Sequence, residues 1–319
     1  MFSIVIPLYN KTHTIRKTLE SVFLQTFQEF EVIIVDDGST DDGVSVINEF
    51  ITDPRIKIFQ QENQGVSVAR NNGVAQAKYE HIAFLDGDDE WLPQYLEKMK
   101  ECIGLYPNAG MFCCAGYVTD NNGEYLRIAR KYEGKIILIN YFENPHVFTH
   151  VSATVVKKSV FNRSQGFPAG MRKNEDFALL YSMALLDDVV YCGFPLSIYC
   201  GNVPGQATKS NVNRKSANID VTRRYKICNQ LWRNLLKKNH LFLIFERYEI
   251  RHAVLVFIRR NEYSELRAFL DELGEDVLSD FSSCEKYLWR IKILKILALT
   301  QIYVSKVLWR FNGFPRVNG

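Results

Sequence analysis

Three aspartates crowd one short turn in the stretch FLDGDDEW, residues 84–91. Asp86 and Asp88 lie one residue apart on either side of Gly87, directly after an apolar run. Two carboxylates this close repel each other unless a cation lies between them. Mg²⁺ and Mn²⁺ prefer such hard oxygen ligands and complete their coordination shell with water and substrate phosphates. The turn therefore predicts a divalent-metal site that also receives a phosphate-containing ligand.

A second acidic stretch, VDDGSTDD, follows another apolar run at residues 35–42. Its later members, residues 39–42, are typical of a helix N-terminus, where hydroxyls and carboxylates accept from unpaired backbone N–H groups. Asp37 comes earlier, where a strand ends, and its carboxylate can accept a donor such as the imide N–H of a pyrimidine base. The structural alternative for the aspartate turn is a capped helix, in which Asp89 or Glu90 would cap a helix that begins within residues 91–93; it does not account for Asp86 and Asp88.

Four short apolar runs rich in β-branched residues predict the strands that must position these acids. Stretches with helical spacing separate them, which indicates a parallel sheet covered by helices on both faces. Ligands of such sheets bind beyond the carboxyl ends of the strands, where all four runs here are followed by polar residues. The runs are FSIVIPL from Phe2, FEVIIVD from Phe30, RIKIFQ from Arg55 and HIAFLD from His81.

The chain is expected to change character twice after this first part. Residues 93–186 mix helices and strands: a helix from Pro93, strands AGMFCCAGYV and SATVVKK, and a helix over residues 175–186. Beyond residue 213, strand signals nearly vanish and amphipathic helical segments follow. The predicted domains are therefore residues 1–212, an α/β domain with a mixed sheet, and residues 213–319, a basic helical appendage.

Charge divides along the chain in the same way. Residues 1–220 carry a net charge of −5 and residues 221–319 carry +8, within an overall +3. No nucleic-acid-binding motif accompanies the basic part, so we expect no nucleic-acid partner. Seven cysteines without CxxC spacing, and a strand directly after Met1, favour reduced thiols in a cytoplasmic protein.

Five segments in a fixed order resemble family 2 of the glycosyltransferases, which has the GT-A fold. They are SIVIPLYN, VIIVDDGSTDD, NQGVSVARNNGVAQA, FLDGDDEW and NEDFALLYSMAL, and together they extend over about residues 1–210. The resemblance implies a Rossmann-like nucleotide-diphospho-sugar transferase that uses a divalent metal. It further implies transfer of a sugar from a nucleotide-sugar donor, usually linked to UDP, with inversion at the anomeric carbon.

The resemblance also assigns roles on the donor side. It places Pro7 and Tyr9 in the nucleotide cleft, Asp37 at the base, and Arg70 at a further donor contact. The DxD motif is similar to residues 86–88, with Asp86 towards the ribose and Asp88 towards Mn²⁺ or Mg²⁺. Such a cation stabilises the negative charge on the departing nucleoside diphosphate without transferring a proton.

An inverting transfer needs a base on the opposite face of the sugar to accept the proton of the acceptor hydroxyl. The segment NEDFALL supplies Glu175 and Asp176, of which the resemblance favours Asp176; the alternative is that both are simply acids of a helix N-terminus. Many relatives have a histidine in the segment that here reads IYCGNVPGQATKS, with Asn202 and no histidine. The third contact to the cation therefore stays open. Processive synthases carry a QxxRW motif, which this sequence lacks, so we expect one sugar per encounter.

The C-terminal segment from Cys284 to Phe311 mixes apolar and aromatic residues with lysines and arginines. Only ten uncharged residues separate Lys295 from Lys306, too few to span a bilayer as a helix. Three alternatives stay open for it: packing on the catalytic domain, contact with another subunit, or a position on the inner surface of a membrane. The membrane surface would suit a lipid-linked acceptor.

The predicted function is addition of a sugar to a glycan or lipid-linked acceptor in bacterial-type surface polysaccharide synthesis. Two rival hypotheses remain. One is a non-catalytic scaffold that binds glycans or nucleotides with the same fold, against which the presence of Asp86, Asp88 and Asp176 argues. The other is a nucleotidyltransferase, which would normally have a glycine-rich basic loop after the first strand, where this chain has PLYNKTHT.

Overall fold

The computed structural model describes residues 1–50, 52–120, 123–143, 150–201, 203 and 214–311. Within these residues, contacts divide the chain into two compact units. The first contains the described residues up to Tyr141 and those from 150 to 203, and the second contains 214–311 together with Phe142 and Glu143. The predicted boundary at residues 212 and 213 lies outside the described residues.

The first unit begins with the expected parallel sheet. Strands β1 to β4 lie in the order β3-β2-β1-β4, and every neighbouring pair is parallel. The strands are Phe2–Leu8 (β1), Phe30–Asp36 (β2), Ile56–Gln60 (β3) and His81–Phe84 (β4). The intervening helices are Ile15–Phe23 (α1), Gly43–Asn48 (α2) and Val66–Gln76 (α3). Both β1 and β2 are buried along their whole length, as expected of central strands covered on both faces.

The second half of this unit extends the same sheet with antiparallel pairs. β9 (Thr154–Lys157) runs antiparallel to both β4 and β6 (Met111–Asp120), and the long strands β6 and β10 (Val189–Cys200) are parallel neighbours. The described residues thus form one mixed ten-stranded sheet. Its further strands are Glu90–Trp91 (β5), Met111–Asp120 (β6), Gly123–Arg127 (β7), Ile136–Ile139 (β8), Thr154–Lys157 (β9) and Val189–Cys200 (β10). The helices are Tyr95–Leu105 (α4), Lys158–Arg163 (α5) and Glu175–Leu186 (α6).

The helix over residues 175–186 is confirmed, but the region after the aspartate turn differs from the prediction. Glu90 and Trp91 form a short strand on β10, and the following helix begins only at Tyr95. The alternative of a helix cap at Asp89 or Glu90 is therefore wrong. Trp91 is buried, stacks on Tyr95 at 4.1 Å between ring centroids, and belongs to the core.

The second unit is helical, as predicted. Its helices are Arg214–Asn234 (α7), His240–Arg259 (α8), Tyr263–Leu278 (α9), Ser283–Arg290 (α10) and Lys295–Phe311 (α11). Gly274 interrupts α9 with a φ of +74°, a conformation that favours glycine. A 3₁₀ turn at Lys292–Leu294 divides the segment from Cys284 to Phe311 into α10 and α11. In the described part of the chain, no helix has the length and apolar character needed to cross a membrane.

Candidate active site

The acids predicted from the sequence lie at the carboxyl ends of the parallel strands. β1 leads into Tyr9, β2 ends at Asp36 and Asp37, and β4 leads into Asp86 and Asp88. Parallel strands bring these ends to one edge of the sheet, which is where ligands of open α/β sheets bind. Pro7 is buried within β1 opposite Val35, whereas 46% of Tyr9 is exposed.

Asp37 is buried and holds the loop between β3 and α3. Its Oδ1 accepts from the Gln61 side chain at 2.7 Å and from the Gln64 N–H at 2.8 Å, and its Oδ2 accepts from the Gly65 N–H at 2.8 Å. Because a carboxylate can accept about four hydrogen bonds, the side chain retains capacity for a ligand. The contact with a base stays a prediction, and Asp37 has in addition a structural role that its sequence position did not reveal.

The loop after β1 holds the aspartate turn. The Lys11 ammonium lies 2.5 Å from Asp88 Oδ2, and the Thr14 hydroxyl donates to the Gly87 carbonyl at 2.7 Å. The carboxylate of Asp88 thus already has one cation of the chain beside it. Neither Lys11 nor Thr14 was expected at the site, because each lies more than 70 residues away from its partner in sequence.

The charged groups around Asp88 nevertheless have an excess of negative charge. Burial raises its pKa to about 6, with Asp89 and Asp86 adding to the rise and Lys11 opposing it. The lysine therefore offsets the burial and the crowding of the carboxylates only in part. A divalent cation would fit this environment, since Mg²⁺ sites often have only one or two protein carboxylates and take their other ligands from phosphates. Among the described residues, no cluster of three or more metal-ligating side chains surrounds the position.

Arg70 connects the donor-side acid Asp86 to Glu175, which directly precedes the predicted base Asp176. Its Nη2 lies 2.6 and 2.9 Å from the two carboxylate oxygens of Asp86, and its Nη1 lies 3.2 Å from Glu175 Oε1. The guanidinium is buried and lies over the ring of Phe167 at 4.9 Å. Burial alone would lower the pKa of Arg70, but Asp86 and Glu175 outweigh it and raise the pKa, so the side chain stays charged.

Glu175 and Asp176 occupy the first turn of α6. Asn174 precedes them with a φ of +66°, which the short polar side chain of asparagine tolerates. Asp176 Oδ1 accepts from the Phe177 N–H at 2.7 Å. Burial and the neighbouring Asp176 raise the pKa of Glu175 to about 7, against the lowering effect of Arg70. The pair thus places a carboxyl that titrates near neutral pH next to a second acid.

Asp89, which the structural alternative placed at a helix cap, instead connects the turn to the second half of the unit. It is buried and accepts from the Ser152 hydroxyl at 2.5 Å and from the Cys200 N–H at 3.1 Å. Its Oδ2 also lies 3.3 Å from His150 Nε2. The same Ser152 hydroxyl accepts from the Asp86 N–H at 3.1 Å. No feature of the sequence distinguishes Asp89 from its neighbouring aspartates.

Asn202, which stands in the segment where many relatives have a histidine, lies outside the described residues.

The fold is similar to that of proteins that were solved in complex with nucleotide sugars. Staphylococcus aureus TarS, residues 1–349, in complex with UDP-GlcNAc, superposes with a TM-score of 0.71 at 17% identity, covering 99% of this chain and 93% of TarS. A mannosyltransferase from Pyrobaculum calidifontis, in complex with GDP-Man and Mn²⁺, gives a TM-score of 0.55 at 15% identity, covering 97% and 86% of the two chains. The GT-A fold expected from the sequence is thereby confirmed.

Sequence comparison also finds relatives that are named glycosyltransferases. A glycosyltransferase of Rickettsia felis is 31% identical over 185 residues, 57% of this chain and 30% of the relative. One from Haemophilus influenzae is 26% identical over 237 residues, 74% of this chain and 78% of the relative. The putative glycosyltransferase EpsH of Bacillus subtilis is 42% identical over 103 residues, 32% and 30% of the two chains. The chain thus matches less than a third of the length of the Rickettsia and Bacillus relatives.

The family model "Glycosyl transferase family 2" matches residues 3–172, which include every strand end described above. The chain belongs to glycosyl transferase family 2.

Proposed function

We propose that the chain transfers one sugar, with inversion, from a UDP-linked donor to a hydroxyl of a glycan or lipid-linked acceptor. The observation that carries this proposal is the continuous contact from Asp86 through Arg70 to Glu175. It connects the acid at the end of β4, where a nucleotide is expected, with the acids at the start of α6, where a base is needed. One buried side chain thus fixes the donor-side carboxylate of Asp86 relative to Glu175, which directly precedes Asp176 in the first turn of α6.

On the donor side, Asp88 and Asp86 would hold Mg²⁺ or Mn²⁺ together with the diphosphate. When bound, such an ion neutralises the charge that develops on the leaving nucleoside diphosphate. Lys11 would then release Asp88, and its ammonium is available to the phosphates. Tyr9, Pro7 and Asp37 would line the nucleotide cleft. The Pyrobaculum mannosyltransferase that shares the fold was solved with a nucleotide sugar and Mn²⁺, which supports a divalent ion here.

On the acceptor side, we assign the proton of the attacking hydroxyl to Asp176. Glu175 Oε1 is held by the Arg70 guanidinium at 3.2 Å, which gives it a positioning role, and the family resemblance favours Asp176 as the base. Glu175 and Arg70 would instead fix the first turn of α6. Positioning of this kind keeps the base and the sugar within the short distance that proton transfer requires.

The choice of UDP rests on Asp37 and on the structural relative that was solved with UDP-GlcNAc. We assign the reaction to surface polysaccharide synthesis on the cytoplasmic side of a membrane. A scaffold that binds nucleotides without turnover has no need for an acid at Asp176.

A screen of nucleotide sugars tests the proposal directly. Thermal unfolding is measured with UDP-, GDP- and CDP-linked sugars, each with and without Mn²⁺, because a bound donor raises stability by mass action. Hydrolysis of the stabilising donor is then followed with wild type and with Asp176→Asn. We expect stabilisation by one UDP-sugar that needs Mn²⁺, and hydrolysis that Asp176→Asn abolishes. Stabilisation without any hydrolysis or transfer would favour the scaffold.

A further inference from the structure

The last described helix, α11, exposes a row of apolar side chains. Ile296, Leu297 and Val304 are 78%, 56% and 53% exposed, and Val307 and Leu308 are similarly open. Leu297 and Val304 are seven residues apart, with the exposed Thr300 between them, and Val307 and Leu308 follow Val304 by three and four residues. These spacings place the apolar residues on one face of the helix. Ile293, in the 3₁₀ turn before α11, is also exposed. We call Ile293 and this row of α11 the outer apolar face.

The opposite face of α11 is already packed. Ala298 and Ile302 are fully buried in the apolar core of the helical unit, together with Leu255 and Ile258 of α8. The outer apolar face is therefore not needed for the fold of its own unit. Solvated helices normally present polar side chains on such a face, so a large exposed apolar row indicates an interaction surface.

The segment that carries the outer apolar face has charges of one sign, although Lys286 and Arg290 pair with Glu275 and Asp271 of α9. From residue 286 to the end, the sequence has seven Lys or Arg and no Asp or Glu. Lys292 is exposed beside Ile293, and Lys295 and Lys306 are partly exposed, with Lys295 donating to Asn261 at 2.8 Å. An apolar face whose own segment carries only basic charges is typical of helices that lie in a membrane interface.

This charge distribution distinguishes two partners that could cover the outer apolar face, a second copy of the chain and a membrane surface. A two-fold contact with a second copy would bring the same basic segment against itself, and like charges across an interface are unfavourable. The cytoplasmic leaflet of a bilayer carries anionic headgroups, which attract Lys and Arg close to its surface. The anionic surface complements the segment, whereas a second copy of the segment does not.

We infer that α11 and the preceding 3₁₀ turn dock on an anionic membrane surface, with the outer apolar face inserted between headgroups. This docking goes beyond the proposed sugar transfer and does not depend on it. It would keep the enzyme at the surface where a lipid-linked acceptor resides.

Flotation of the full chain with vesicles tests the inference. Phosphatidylcholine vesicles are compared with vesicles that also contain phosphatidylglycerol, at low and at high salt. We expect binding to the anionic vesicles, weakened by salt because screening reduces the attraction of the lysines. Leu297→Glu and Val304→Glu should each weaken partitioning about tenfold or more, since each places a charge on the inserted face. Lys292→Glu should weaken binding to anionic vesicles only.

The matched control is Leu236→Glu, which changes an exposed leucine between α7 and α8 of the same unit. It should bind vesicles as wild type does. UDP-sugar hydrolysis in solution should be unchanged in all four variants, so loss of docking is distinguished from loss of the proposed activity. The inference is overturned by wild-type vesicle binding in Leu297→Glu and Val304→Glu, or by absence of binding in wild type. A dimer in solution that Val304→Glu separates, without vesicle binding, would also overturn it.

Discussion

One guanidinium nitrogen of Arg70 lies 2.6 and 2.9 Å from the two carboxylate oxygens of Asp86. The other terminal nitrogen reaches Glu175, which is 105 residues away in sequence. Arginine can hold two acids in this way because its guanidinium presents donors in a rigid planar fork, whereas lysine offers a single point charge.

The first prediction concerns this bridge. Arg70→Lys should keep the buried charge but hold only one of the two acids, so kcat should fall about 100-fold through loss of positioning. Arg70→Met should also lower the free energy of unfolding by about 3–5 kcal/mol, because it leaves buried carboxylates unpaired. Turnover and chemical denaturation measure the two effects. Arg55→Lys is the control, since Arg55 pairs with Asp53 at a partly exposed site; full kcat in Arg70→Lys would refute the positioning role.

Lys11 competes with a cation for Asp88. Removing the ammonium in Lys11→Met should therefore raise the affinity for Mn²⁺ in the absence of nucleotide about tenfold, at a pH above 7 where Asp88 is ionised. Turnover should fall in the same variant if the ammonium contacts the diphosphate. Calorimetric titration with Mn²⁺ measures the first effect. Lys17→Met changes an exposed lysine of α1 and should leave the affinity unchanged; weaker Mn²⁺ binding in Lys11→Met would contradict the competition.

Asp37 has two expected roles that one substitution can separate. Asp37→Asn replaces one accepting oxygen with a donor, so it should destabilise the protein by about 1–3 kcal/mol through the loop after β3. If Asp37 also contacts the base, the variant should lose affinity for UDP while its weaker affinity for GDP changes little. Competition binding with both nucleotides measures the difference. An equal loss for both would leave the loop as its only role.

Glu246, in α8 of the helical unit, predicts a pH dependence of stability. Burial raises its pKa to about 8, although the Asn229 side chain donates to it at 2.7 Å. The folded state therefore holds a proton that the unfolded state loses near pH 4.5, and the stability this provides disappears as pH rises towards 8. Glu246→Gln should reduce the loss of stability between pH 5 and 8 by on the order of 2–4 kcal/mol. Urea unfolding across this range tests it; an unchanged pH profile would contradict the assignment.

The sequence predicted the four parallel strands β1 to β4, of which β1 and β2 are buried on both faces, and with them the edge where Asp37, Asp86 and Asp88 lie. Continuous β-branched runs separated by helical spacing have few alternative folds. It missed β5, which is two residues long, and β10, where Gly193 and Pro195 interrupt the strand pattern and the pairing with β6 shifts register. Short or bulged strands form because they pair with neighbouring strands. The spacing of apolar residues within the strand itself does not indicate such pairing.

Contacts between distant segments were equally beyond the sequence. Nothing in the sequence marks Lys11 as a neighbour of Asp88, which it contacts only in the folded chain. Arg70 was expected to contact the donor, but its contact with Glu175 on α6 was not predicted. Motif resemblance located the acids individually. Only the tertiary structure shows that Asp86 and Glu175 both contact the Arg70 guanidinium, and that Asp89 accepts hydrogen bonds from Ser152 and Cys200.

The central claim is that Asp88 holds a divalent cation against the diphosphate while Asp176 serves the chemical step. Calorimetric titration of UDP, with and without Mn²⁺, into wild type, Asp88→Asn and Asp176→Asn tests it most directly. Mn²⁺ should strengthen UDP binding at least about tenfold in wild type and in Asp176→Asn, and should have no effect in Asp88→Asn. Equal enhancement by Mn²⁺ in Asp88→Asn and wild type would contradict the account.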